Sequence, residues 1–397
     1  MPENQKTSKR KRTSSKKRSA EKARRIAWAV IIVVAAILVV LKVWEIDFNS
    51  IKNKLNSSGI VSSIQDDTYP IALDSSKSIK IFPQNDKLNI MTDISCSVLN
   101  PKNGEIEYSF NHGYSNPVLS CAGGYFCLVD QGARRFRLDT LNEPIYELTT
   151  DTAVLCAAVA DNGSVVYAVS GDDSKSHIVL IDKGRKKHLD FDVNSGYVVS
   201  VAIDSSGKRC AYATVNSTDA KMITTVHTVD IGDKSDRGTF DFESSDVLSL
   251  KYNGSDLFII CNDSVSFVSN QKKLKEVFKK GEVNTCCFNY NEECEPVYVY
   301  SKYSSANENY LACISGNGKV KTTIELSQRP KYVSAAADEA TVLFTDRIVT
   351  YSVKNGEELG SAVCDDAVNI VYKLSTKCFI CRHQVIDVAE IKLNDKD

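Results

Sequence analysis

The chain has two tryptophans, Trp28 and Trp44, and none in the remaining 353 residues after Trp44. That absence excludes any site in the long C-terminal body that depends on an indole platform. Histidine is scarce too. The five residues His112, His177, His188, His227 and His383 are scattered, without the close pairing that zinc hydrolases need on one helix face. No G-x-S-x-G elbow and no glycine-rich phosphate loop occurs, so nucleophile-elbow hydrolases and nucleotide-binding loops are not indicated. No catalytic, cofactor-binding or metal-ligating residue is assigned, and no cofactor is expected. The long amphipathic periodicities of helices are missing from about Tyr69 onward.

Net charge is also nearly absent, at −1, but this conceals a split. Residues 1–25 hold eleven Lys and Arg against Glu3 and Glu21, while Trp44 to the C-terminus holds 37 basic and 48 acidic residues. Between them Ile26–Leu41 runs for sixteen residues without a charge, Lys42 interrupts, and Val43 and Trp44 extend the run. About nineteen helical residues at ~1.5 Å each nearly span a hydrocarbon core of about 30 Å. Trp28 and Trp44 suit the two interfaces, and the Lys42 ammonium can snorkel to headgroups. The following Lys42-Val-Trp-Glu-Ile-Asp offers no small-x-small cleavage site, so an uncleaved anchor is expected rather than a signal peptide. Positive flanks stay cytoplasmic. The expected order is therefore a disordered basic cytoplasmic tail (1–25), a transmembrane helix (26–44), a juxtamembrane tether (45–68) and an extracytoplasmic domain (69–397). Beside an apolar span the basic cluster reads as a topology signal touching anionic lipid, and nucleic acid is not expected as a partner.

The body repeats. Val154–Asp161, Val198–Asp204 and Val247–Tyr252 each lead through a turn containing Gly into a second apolar run. Pro117–Cys121, Val283–Phe288, Tyr332–Ala336 and Val368–Tyr372 open comparable units. Starts near 118, 154, 198, 247, 283, 332 and 368 are spaced by about 36 to 49 residues, each interval holding four strand-like runs, which is the period of propeller blades. An earlier unit covers 78–111. The last unit, read as Val368–Tyr372, Cys378–Cys381 and Val385–Leu393, lacks its fourth strand. If Tyr69–Asp74 supplies it, the ring closes without a long unpaired edge. The expected fold is all-β, an eight-bladed propeller, with seven blades as the alternative.

Thirteen cysteines are many for an exported domain. Cys121, Cys127, Cys156, Cys210, Cys261, Cys286, Cys313 and Cys364 fall in expected strands, where a thiol serves as a small apolar side chain. Cys378 and Cys381 form a CxxC, but residues three apart on a strand point to opposite faces and cannot share one metal easily. Adjacent Cys286 and Cys287 are like the vicinal pair of some quinone-dependent eight-bladed dehydrogenases. Those enzymes dock blades and quinone with tryptophans that this body lacks. Asp161-Asn-Gly-Ser and Asp204-Ser-Ser-Gly lack the further acids of calcium loops and read as hairpin turns. Asp172-Asp173, Glu292-Glu293 and Asp365-Asp366 read as solvated turn residues.

With its basic tail, single helix and tether, Tyr69-Pro-Ile, Asn116-Pro-Val-Leu and Leu128-Val-Asp-Gln-Gly-Ala-Arg-Arg-Phe-Arg137, the chain resembles an uncharacterised family of membrane-anchored, WD-repeat-like propeller proteins from anaerobic Gram-positive bacteria, catalogued as a domain of unknown function. The resemblance runs from residue 25 on. It implies a surface location and a thiol-tolerant habitat, and no catalytic residues. The functional expectation is a non-enzymatic module at the outer face of the cytoplasmic membrane, binding an envelope protein or cell-wall ligand. The alternative is a hydrolase or lyase using carboxylates in the central channel.

Overall fold

The computed structural model describes residues 68–73, 79–233, 235–302, 305–336, 338–367, 369–382 and 384–394. The basic tail, the apolar span and the tether up to residue 67 lie outside the described residues. Among the described residues no helix is long and apolar enough to cross a membrane.

Eight antiparallel sheets follow one another along the chain, each a four-stranded meander, and the seventh gains a fifth short strand. The first strand of each sheet faces the axis. In blade order these inner strands are Lys80–Gln84, Pro117–Ala122, Val154–Val159, Tyr197–Ile203, Val247–Asn253, Val283–Tyr290, Tyr332–Ala335 and Asn369–Leu374. Neighbouring inner strands abut, and that of blade 8 meets that of blade 1. Blades 5 and 6 are joined by a 2.9 Å bond between the Ser249 and Tyr290 hydroxyls. The fold is an eight-bladed β-propeller, which settles the choice against seven.

Closure occurs as the sequence suggests. Ile71–Ala72 pairs with Val385–Glu390 and becomes the outer strand of blade 8. The strap is held on both sides: the Tyr69 hydroxyl donates to the Pro101 carbonyl of blade 1 at 2.8 Å, and its ring packs 5.3 Å from Phe379 of blade 8. One expectation is corrected at the C-terminus. Val385–Leu393 is not a single strand: it ends at Glu390, and after Ile391 the pair Lys392–Leu393 joins the outer edge of blade 7. Buried Ile391 makes the turn, sinking into the core between blades 7 and 8.

There is no single core. Eight apolar clusters fill the eight clefts between neighbouring blades. This explains why second strands read as unbroken apolar runs instead of alternating. In Asp256–Cys261 the side chains of Leu257, Ile259 and Cys261 pack toward blade 4. Phe258 and Ile260 pack toward blade 6. Phenyl and phenol rings do the docking that indoles could have done: Phe136 of blade 2 lies 4.8 Å from Tyr167 of blade 3, and Phe278 lies 4.9 Å from Tyr300 across blades 5 and 6.

Candidate interaction surface

The meander gives the ring two different faces. One carries the hairpin turns between first and second and between third and fourth strands. The other carries the remaining turns together with the crossovers from each blade to the next.

Several residues singled out in the sequence belong to the scaffold. Asp204 is buried and accepts the Lys208 and Arg209 amides at 2.7 and 2.8 Å and the Ser206 hydroxyl at 2.6 Å. Its turn is a hairpin on the first face. So is Asp161-Asn-Gly-Ser, where the Asn162 side-chain Oδ1 accepts the Ser164 amide at 2.9 Å. Cys378 sits in the core between blades 7 and 8 and Cys381 in the core between blades 8 and 1, on opposite faces of one strand. Cys286 and Cys287 are free and are not bonded to each other. Cys127, Cys210, Cys261 and Cys313 are free and buried in strands, and burial pushes the Cys210 and Cys261 thiols up to about 12. Cys364 is buried too, but it lies one residue past the strand Glu358–Val363, a correction to its expected place.

The Leu128–Arg137 motif is a strut between blades 1 and 2. Buried Asp130 accepts the Ser115 and Asn116 amides at 2.9 and 3.0 Å and is met by Arg135. Fully buried Asp139 receives Arg137 Nε at 2.7 Å and the Tyr108 hydroxyl at 2.8 Å. The Arg137 guanidinium covers the Phe110 ring at 3.6 Å. A buried carboxylate needs such full pairing.

The four described histidines are spread over three blades. His112 Nδ1 accepts the Tyr114 amide at 2.9 Å. His177 lies between Asp190, at 2.5 Å from Nε2, and Asp192, at 2.8 Å from Nδ1. His188 meets Asp182 at 2.9 Å. His227 stacks on Tyr212 at 4.6 Å with both ring nitrogens lacking a hydrogen bond. His383 lies outside the described residues. Among the described residues no group of three or more His, Cys, Asp or Glu could hold a metal ion.

Two places could receive a ligand. On the hairpin face a cavity of about 460 Å³ opens between blades 3 and 4, lined by Asp182, His188, Lys208, Arg209 and Asp230 among others. Its carboxylates are already committed. Asp182 takes the His188 ring and the Lys186 and Gly184 amides, which hold it below the usual carboxylate range. Asp230 accepts the Gly232 amide at 3.0 Å and faces Arg237.

The channel mouth on the crossover face is different. None of the eight inner strands contains an Asp or Glu, and their only charges are Lys80, Lys251 and Lys373. Lys373 pairs with Glu339 of blade 7. At the crossover end five inner strands carry a register shift, in blades 3, 4, 5, 6 and 8. A bulge leaves one residue outside the ladder. In blades 3 to 6 that residue is Leu155, Val199, Leu248 and Cys286. Val199 is 46% exposed and Leu248 49%, and Tyr197, just ahead of them, is 62% exposed. Three large apolar side chains thus stand in water on two neighbouring inner strands. Asp172 and Asp173 lie beside this sector, for Lys175 in their turn reaches the Tyr197 ring at 5.8 Å. The sequence reads the paired acids as turn residues; their place beside the exposed sector is not visible there. Nor are the bulges, although the doublets Val154-Leu155, Val198-Val199 and Val247-Leu248, each followed by a small residue, break strict alternation as a bulge does.

These features define the class: a closed eight-bladed β-propeller. The chain belongs to the family of unknown function DUF5711, whose model matches residues 85–392. No curated protein matches it. Among solved structures it is similar to the C-terminal WD40 domain of Sif2, at 11% identity and a TM-score of 0.56, covering 81% of this chain and 97% of that one. It is also similar to a eukaryotic initiation factor, at 11% identity and 0.54, covering 79% and 83%. Saccharomyces cerevisiae Sqt1 matches at 7% identity and 0.52, covering 83% and 98%. At such identities the likeness is one of fold alone.

Proposed function

We propose that this chain is a non-enzymatic, membrane-anchored binding or scaffold module whose propeller stands outside the cytoplasmic membrane and holds an envelope protein or cell-wall ligand at its crossover face. The observation that carries this reading is the exposed Tyr197, Val199 and Leu248 at the channel mouth, because large apolar side chains grouped in water mark contact surfaces. A rigid ring presenting such a group suits recognition, which needs little rearrangement on binding. The apolar run and the basic flank ahead of it, read as an uncleaved anchor with its N-terminus inside, support the placement. The alternative of a hydrolase or lyase needs two acids converging in the channel. Inner strands without a single carboxylate argue against it.

The test is crosslinking in intact cells followed by purification of the full-length chain. Recovery of one envelope protein or glycan crosslinked to crossover-face residues is expected. Recovery of neither, together with turnover in a screen of glycoside and peptide substrates, would overturn the reading.

A further inference from the structure

The sector of the crossover face formed by blades 3, 4 and 5 combines its apolar group with exposed aspartates whose carboxylates have no partner among the described residues. Asp151 lies in the crossover entering blade 3, Asp172 and Asp173 in that blade's turn, Asp219 at the tip of a blade 4 hairpin, and Asp246 two residues before Leu248. All five are exposed, and none has a hydrogen bond or ion pair from its carboxylate among the described residues. The lysines of the sector are already engaged. Lys175 donates to Asn216 at 3.3 Å and faces the Tyr197 ring. Lys221 pairs with Glu243 at 2.7 Å, and Lys280 donates to the Glu243 carbonyl. Arg134 and Lys279 stand at the borders, on blade 2 and on the crossover leaving blade 5. Five carboxylates without a partner among the described residues therefore share this face and these blades with three exposed apolar side chains.

The sector also has a wall. The second and third strands of blade 4, Arg209–Thr218 and Lys221–Asp230, are ten residues each against six in blade 3. The extra length extends this hairpin on the crossover side, with Val215 paired to Tyr197 at its base. Gly196 lets the crossover pass close beneath it, since a Cβ there would come within 2.8 Å of the Val215 carbonyl oxygen.

Resting on the binding-module reading above, we propose that this sector is a docking site for one kind of partner: a protein segment with aliphatic anchor residues flanked by lysines or arginines. Its apolar side chains would cover Tyr197, Val199 and Leu248, and its cations would meet Asp151, Asp172, Asp173, Asp219 and Asp246. Apolar anchors supply the affinity, and charges at the rim supply selectivity and approach. An acidic ligand would be repelled by five unpaired carboxylates.

The experiment uses the full-length chain in detergent and two fluorescent peptides. One has a leucine pair flanked by lysines and arginines; the other keeps the leucines and replaces the cations by glutamates. Binding of the basic peptide only is expected, weakening as salt is raised. Leu248→Ser is expected to weaken it roughly tenfold, as loss of an anchor does. A double variant, Asp172→Asn with Asp173→Asn, should weaken it severalfold and flatten the salt dependence. All three positions are exposed, so unchanged circular dichroism and melting are expected to show intact folding. Equal binding of both peptides, no binding of the basic peptide, or variants that bind like the parent would each overturn the inference. The broader reading is tested separately. An envelope protein that crosslinks to the parent chain and equally to Leu248→Ser would leave the binding module standing and remove this site. No crosslinked partner at all, together with turnover in the substrate screen, would remove the module itself.

Discussion

At the scale of single residues, the clefts between blades tolerate little change. Gly123 has φ +55, and a Cβ there would lie 2.3 Å from Asp161 Cα in the next blade's turn. Gly123→Ala combines a clash with backbone, which cannot yield as a side-chain tip can, and a left-handed conformation. It is expected to destabilise by about 3 kcal/mol, read as a lowered midpoint in denaturant unfolding. His227 gives a pH effect of definite sign. Burial holds its ring below the ordinary value of 6.5, with Asp236 opposing weakly. Its folded value lies below its unfolded value, so its contribution is complete above about pH 6.5 and is lost as the pH falls below that, because the unfolded chain takes the proton more readily. The carboxylates of Asp182 and Asp190, held low by His188 and by Lys187 with His177 respectively, act in the same direction at still lower pH. His227→Phe keeps the stack on Tyr212 and removes two unsatisfied nitrogens. It is expected to stabilise by about 1 kcal/mol and to reduce the loss of stability between pH 7 and 5, measured as melting temperature against pH.

At the scale of elements, the strap and the bulges divide the work. Ile71–Ala72 is only two residues long, yet it covers the edge of blade 8 and carries Tyr69 into contact with two blades. Tyr69→Ala removes a hydrogen bond and a half-buried ring and is expected to cost about 3 kcal/mol, seen as faster proteolysis at the blade 8 to blade 1 junction. Much of this was legible in the sequence. The forty-residue period gave the blades, the missing last strand pointed to Tyr69–Asp74, and turn residues such as Asp161-Asn-Gly gave the hairpins. The division at Ile391 was not legible, because Val385–Leu393 alternates well enough to pass for one strand. What decides it is a tertiary option, the free edge of blade 7. The exposed group was hidden for a similar reason. Val199 and Leu248 sit in runs that look like buried strands, and only the pairing register shows which residue each bulge leaves outside the ladder.

At the scale of the whole molecule, eight separate clefts replace one core, so the ring depends on closure for its stability and leaves its crossover face free for contact. Under the proposed function, that face lies outside the cell, where an acidic body would favour basic partners. The most direct measurement uses Val363, which is 83% exposed at the end of blade 7's fourth strand. Cys127, Cys210 and Cys378 are buried while Cys286, Cys287 and Cys294 are partly exposed, so the parent chain sets the background for thiol chemistry. In intact cells, the full-length Val363→Cys chain should react with a membrane-impermeant maleimide well above the parent chain. Reaction only after the cells are opened would place the propeller in the cytoplasm and contradict the account.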